Sequence, residues 1–164
     1  MIEQRDGWFV VNVKDTPWYG TPAFGKVCIF ENPEERFPQT GVRIYVIEPG
    51  TPNCRYHRES AQENFLVLSG RCTLLVNDEE RELEAWDFVH CPGGVSHVFV
   101  GAGDGPCALL AIGDRADGKE IGYPASTLAR EHGAEAPEPT TDPKAAYADV
   151  PSWGPTDTPD WPPS

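Results

Sequence analysis

Over roughly the first two thirds of the chain, apolar and polar positions alternate in short runs broken by glycine and proline. Trp8-Phe9-Val10-Val11-Asn12-Val13 and Lys26-Val27-Cys28-Ile29-Phe30 open the series, and Val42-Arg43-Ile44-Tyr45-Val46-Ile47-Glu48 runs up to a Pro49-Gly50 break. Phe65 to Ser69 and Cys72 to Val76 flank Gly70-Arg71, which reads as a two-residue hairpin whose leading glycine suits a type II′ turn. Arg81 to Leu83, Phe88 to Cys91, His97 to Val100 and Cys107 to Ile112 complete the set. Side chains two apart share one face of a strand, and many short strands spaced by turn residues predict an all-β sandwich or barrel. The glycines fall where such a chain must reverse, and no helix signal follows them, which excludes a phosphate-cradling loop.

The pattern changes near Arg115, dividing the chain into a barrel over residues 1–114 and an extension over 115–164 rich in Ala, Pro, Glu, Asp and Thr. Ser126 to His132 predicts a short helix capped by Ser126, and Pro143 to Tyr147 a helical turn. The prolines after Asp149 forbid a central strand or a long helix. Tyr147, Trp153 and Trp161 are nevertheless costly in a solvated tail, so the segment is expected to lie extended over the barrel or over a neighbouring subunit.

Two clusters of metal-ligand residue types sit beside these strands. In an extended segment His57 and Glu59 project together, and Glu63 heads the strand that carries Phe65 and Val67 on the same face. Pro92-Gly93-Gly94 predicts a turn, with His97 near the start of the strand that leaves it. Either histidine alone reads as a hydrogen-bonded strand residue. Together, with a carboxylate between them, they read as a site.

Glu63 to Gly70 and the turn Pro92, Gly94, His97 resemble the two motifs of the cupin family. The resemblance covers about residues 42–112 and implies a double-stranded β-helix, or jelly-roll, barrel. It also implies a divalent metal ion, zinc, iron, manganese or nickel, held by His57, Glu59, Glu63 and His97. The sequence departs from the family pattern at Glu59, where a second histidine is usual, at Trp86, where glycine is usual, and at Gly101, where asparagine is usual. A carboxylate can replace imidazole as a ligand. Two carboxylates would make the site of a divalent ion neutral, weakening its pull on substrate oxygen and on anions. Cupins include dioxygenases, isomerases and decarboxylases as well as non-catalytic binders, so the resemblance does not choose a reaction.

Tyr56, Phe65 and Phe99 are candidate lining for a small organic ligand, His90 a candidate proton carrier, and Arg43, Arg55, Arg58 and Arg71 candidate anion clamps. The expected activity is a metal-dependent enzyme acting on a small molecule; the alternative is a barrel that binds or senses a ligand without catalysis. With 164 residues and 39% hydrophobic content, the chain is long enough for one ordinary core. A net charge of −13 argues against nucleic acid as partner. The sequence lacks a membrane-spanning run or signal-like start, and a cytoplasmic location is expected. The five cysteines lack metal or redox spacing and read as reduced thiols, with Cys54 and Cys91 flanking the site. A homodimer is expected, with the run from Trp8 to Val13 a candidate for strand exchange.

Overall fold

The computed structural model describes residues 8–32, 34–115 and 117–160. The strands are β1 (Trp18–Thr21), β2 (Gly25–Ile29), β3 (Thr40–Ile47), β4 (Arg58–Glu59), β5 (Glu63–Ser69), β6 (Arg71–Val76), β7 (Glu79–Glu84), β8 (Phe88–Cys91), β9 (His97–Ala102), β10 (Cys107–Asp114), β11 (Ile121–Gly122) and β12 (Gly154–Thr156). Two short helices, α1 (Thr127–Glu131) and α2 (Pro143–Ala146), lie between β11 and β12. A seven-stranded sheet runs β12-β1-β2-β3-β10-β5-β8, a three-stranded sheet β7-β6-β9 faces it, and β4 pairs with β11. All these pairings are antiparallel.

Between the two sheets lies the main core. Ile47, Phe65, Val67 and Leu109 from the large sheet meet Cys72, Leu74 and Phe99 from the small one. On the opposite face of the large sheet Trp18, Cys28, Ile44, Val46 and Ala108 form a second cluster. Strict alternation along β3 puts Tyr45 and Ile47 inward and Ile44 and Val46 outward.

Two local expectations are corrected. Trp8 to Val13 is not a regular strand: Val13–Asp15 forms a 3-10 turn capped by Asn12, and the first strand is Trp18–Thr21. Gly70-Arg71 is not a hairpin, because β5 and β6 belong to different sheets. Gly70 has φ of +74°, and a Cβ there would lie 2.3 Å from the Pro106 carbonyl oxygen, so this residue makes the corner by which the chain passes from one sheet to the other. Residues 92–96 make a similar crossing from β8 to β9. The tight hairpin lies elsewhere. Asn77 and Asp78, with φ of 47° and 62°, join β6 to β7 with Val76 opposite Glu79, as in a type I′ turn.

Within the extension, the side chain of Ser126 accepts from the Ala129 N–H and caps α1, and Asp142 caps α2 through the Lys144 N–H. The extension lies against the barrel. β12 pairs with β1, Trp153 stacks on Phe24, and Tyr147 meets both Phe24 and Tyr123 edge-on. Arg55, buried, donates to the Glu135 carbonyl oxygen and to Asp149, and its guanidinium lies 5.2 Å from the centre of the Phe24 ring. Trp161 falls outside the described residues.

The candidate metal centre and its chamber

His57 and His97 face each other across a two-residue bridge. The His57 N–H donates to the His97 carbonyl oxygen at 3.2 Å and the His97 N–H to the His57 carbonyl oxygen at 2.8 Å, leaving the rings 4.8 Å apart. Each ring is then oriented in the same way. Nδ1 of His57 lies 2.8 Å from the Arg55 carbonyl oxygen, and Nδ1 of His97 lies 3.0 Å from that of Val95. A carbonyl only accepts, so each Nδ1 carries the proton and each Nε2 presents a lone pair when the ring is neutral.

Glu63, the first residue of β5, completes the group. Its Oε2 is 3.2 Å from Nε2 of His97 and 3.7 Å from Nε2 of His57. One ligand atom from each of the three residues lies within 4.8 Å of the others. Although near enough to attract, Oε2 of Glu63 and Nε2 of His97 make no oriented hydrogen bond, and both are buried. Orphaned buried polar atoms are costly, and a cation bound between them would satisfy both. The donor set of two imidazoles and one carboxylate suits a divalent transition metal.

Electrostatics in the metal-free cluster follow from this crowding. Burial works against a charged His97, but the Cys91 thiol and Glu63 outweigh it and raise the ring to about 9. Burial likewise opposes charge on His57, yet Cys54 and Glu63 raise it well above the ordinary imidazole range. For Glu63, burial favours the neutral acid, but the two rings hold the carboxyl well below its usual range. Without a cation, protons hold the group together.

The structure does not bring Glu59 into this cluster. β4 pairs Glu59 with Ile121 of β11, which places Lys119 against its carboxylate as an ion pair. Tyr56 and Phe99 are also not ligand lining. Adjacent to His57 on an extended segment, Tyr56 points the other way, packing with Leu75, Val98 and Ala129 while its hydroxyl accepts from the Asp78 N–H. Phe99 does share a face with His97, but it lies one layer deeper, fully buried against Phe65. Phe65 itself lines the cavity. His90, exposed on β8, faces away from the site and bonds to the Asn64 side chain of β5. Cys91 is buried beneath His97, whereas Cys54 lies at the cavity with Sγ 3.6 Å from Nδ1 of His57; neither forms a disulfide.

Above the cluster is a chamber of about 230 Å³. Its space has a simple origin. Gly113 pairs with both Glu63 and Gly41, and Ala111 with both Phe65 and Arg43, so two neighbouring layers of the interior contain glycine or a single methyl where β10 passes. Tyr123 and Tyr147, both from the extension, close the chamber together with Tyr45 and Asn53. Tyr147 carried a sequence signal as an aromatic in a polar tail. Tyr123 and Lys119 carried none, because they reach the site only through the pairing of β11 with β4.

Residues 43–113 match the family model described as the cupin domain. None of the curated proteins matches the sequence. Among solved structures, a putative sugar phosphate isomerase from Acidithiobacillus ferrooxidans is 31% identical, with a TM-score of 0.50, over 52% of this chain and 56% of its own. This chain therefore spans a little over half the length of that relative. A cupin-superfamily sugar phosphate isomerase from Silicibacter pomeroyi has a TM-score of 0.63 at 19% identity, covering 71% of this chain and 82% of its own. The polyketide cyclase RemF from Streptomyces resistomycificus has a TM-score of 0.57 at 16% identity, covering 65% and 79%. The last two establish likeness of fold alone.

Proposed function

Since residues 43–113 form a cupin-superfamily domain, we propose that this chain is a metal-dependent enzyme acting on a small organic molecule in the chamber above His57, Glu63 and His97. One observation carries the reading. Both histidines are oriented by backbone carbonyls so that Nε2 faces Glu63, and Nε2 of His97 and Oε2 of Glu63 are buried without hydrogen-bond partners. The three residues would be the ligands. A divalent ion there supplies Lewis-acid polarisation of a substrate oxygen. With Glu59 engaged by Lys119, two neutral imidazoles and one carboxylate would leave the site of a divalent ion one unit positive rather than neutral.

This chain's own residues then divide the work. Phe65 and the extension's Tyr123 and Tyr147 exclude water and shape the chamber, while Tyr45 and Asn53 offer hydrogen bonds. The isomerase and cyclase names among the structural relatives are consistent with chemistry at a substrate oxygen. Elemental analysis tests the proposal. Purified or reconstituted protein is expected to hold about one equivalent of a transition metal, lost in Glu63→Gln and His97→Ala. Less than about a tenth of an equivalent after reconstitution would defeat the enzyme reading and favour a metal-free binding barrel, which the Lys119–Glu59 pair supports by removing a candidate metal ligand.

A homodimer belongs to the same proposal. The outer face of the large sheet carries half-buried Leu66, Leu68, Leu110 and Ile112, and Phe88 stands exposed at its edge. Sedimentation of the protein as a dimer that Phe88→Lys converts to monomer is the expected result.

A further inference from the structure

Three lysine and arginine side chains line the chamber: Arg43, Arg115 and Lys119. Two are already committed. Arg115 donates to Glu31 at 2.8 Å and to the Phe37 carbonyl oxygen at 2.7 Å, and Lys119 is paired with Glu59. Arg43 has no carboxylate partner among the described residues. Its charge is favoured chiefly by the neighbouring Tyr45 side chain, and the carboxylates that act on it more weakly, Glu31 and Glu59, are those held by the other two cations. Arg43 is solvent-accessible where it lines both this chamber and a second cavity, and an arginine that an anion can reach and that has no counter-ion of its own is a place where an anion gains.

Arg43 also occupies a junction. A second cavity of about 690 Å³ shares Arg43, Tyr45, Asn53, Cys54 and Tyr147 with the chamber. Its remaining walls are mostly apolar and aromatic, with Tyr19, Val27, Ile29 and, from the extension, Trp153, and they also include the charged Glu31 and Arg36; among the arginines, only Arg43 is shared with the metal chamber. The metal chamber and an apolar, aromatic annex therefore meet at one unpaired guanidinium. On the register of β3, β10 and β5, only the methyl of Ala111 separates Arg43 from Phe65, two residues along from Glu63.

We propose that Arg43 binds the anionic group, carboxylate or phosphate, of an organic ligand whose apolar or aromatic body lies in the annex and whose polar end faces His57, Glu63 and His97. The inference deepens the metal-enzyme reading and rests on it for that last contact alone. The charge of a three-ligand divalent site would have the same sign as Arg43, so both would favour an anion over its neutral isostere. The planar fork of the guanidinium matches either a carboxylate or a phosphate with two parallel hydrogen bonds.

The test is calorimetric titration of zinc-reconstituted and of chelator-treated protein with phenyl phosphate, 3-phenylpropionate, inorganic phosphate and the uncharged 3-phenylpropanamide. At least one aryl anion is expected to bind on the order of tenfold tighter than the amide, and Arg43→Met is expected to abolish that preference without altering metal content. Arg43→Gln is a second neutral replacement should the methionine variant melt early. Trp153→Ala should weaken the aryl anions but not inorganic phosphate, separating the annex from the clamp. Which aryl anion binds tighter tells carboxylate from phosphate. Absence of any preference for anions in the wild type, including absence of binding, overturns the proposal, as does full retention of the preference in Arg43→Met. Arg43-dependent binding by protein that takes up no metal supports it while removing the metal reading. A stoichiometric metal with no Arg43 dependence does the reverse.

Discussion

The two halves of the barrel interior are built from the same strands and could hardly differ more. At the closed end β3 contributes Ile47, β5 Val67, β9 Phe99 and β10 Leu109, all fully buried. At the open end the same strands contribute Arg43, Glu63, His97 and Gly113, and the space between them is a cavity. The change takes two or three inward positions along each strand, because inward positions recur every second residue. Apolar layers at one end hold the sheets together, so the other end can carry groups that would destabilise a core. Stability and chemistry are separated along the strand axis.

Substitutions at the two ends should therefore fail in different ways. Phe99→Ala removes a fully buried ring between the sheets and is expected to cost about 3–5 kcal/mol in denaturant unfolding, enough to unfold a marginal domain. A cost under about 1 kcal/mol would show that the closed end does not hold the barrel. Glu63→Gln should leave the fold in place while weakening metal binding by on the order of a hundredfold, read by competition with a chromophoric chelator. Comparable unfolding by both variants would erase the distinction between the ends.

pH should sharpen the contrast further. In the metal-free protein the His97 ring is raised to about 9 from a usual value near 6.5, so its contribution is fully present below about 6.5 and is lost as pH rises through about 9. The metal requires the neutral ring, so apparent metal affinity should rise across the same window, with protons released on binding. Thermal melts with and without zinc should diverge as pH rises. Curves that stay parallel from pH 6 to 10 would remove the proton-for-metal exchange. The smallest effect is expected at Trp86, a tryptophan with φ of 78° and 74% of its surface exposed. Trp86→Gly should relieve the left-handed strain and stabilise the monomer by up to about 1 kcal/mol. Destabilisation at low protein concentration would instead point to a contact made by that ring between subunits.

Much of this division was legible in the sequence, for physical reasons that also mark where legibility stopped. Alternation along residues 42–48 and 63–69 fixes which side chains share a face, so the convergence of Glu63 with Phe65 followed from spacing alone. His57 and His97 could be paired only through the family resemblance. What local pattern could not show was which sheet a strand would join. Gly70 has the positive φ that a hairpin glycine would have, yet it turns a corner. β1 was hidden because Trp18-Tyr19-Gly20-Thr21 is short and contains a glycine, while the more apolar Trp8 to Val13 suggested a strand that does not form. Glu59 stood out as an odd ligand in sequence. Its ion pair with Lys119, sixty positions away, depends on a two-residue strand pairing that no periodicity announces.

The sheet edges bear on how copies of this chain can meet. β12 is blunted by Pro155, which has no N–H to offer, and β7 presents Glu79, Glu80, Glu82 and Glu84, which would repel a second β7. β9 is bridged along its free side by Pro49, Pro52 and His57. Among the described residues this leaves β8 as the one outer edge of the seven-stranded and three-stranded sheets that is neither blocked nor covered. Any strand-to-strand joining through β8 uses up the free edge of each participant, so growth terminates at a pair and an open-ended fibre has nowhere to continue.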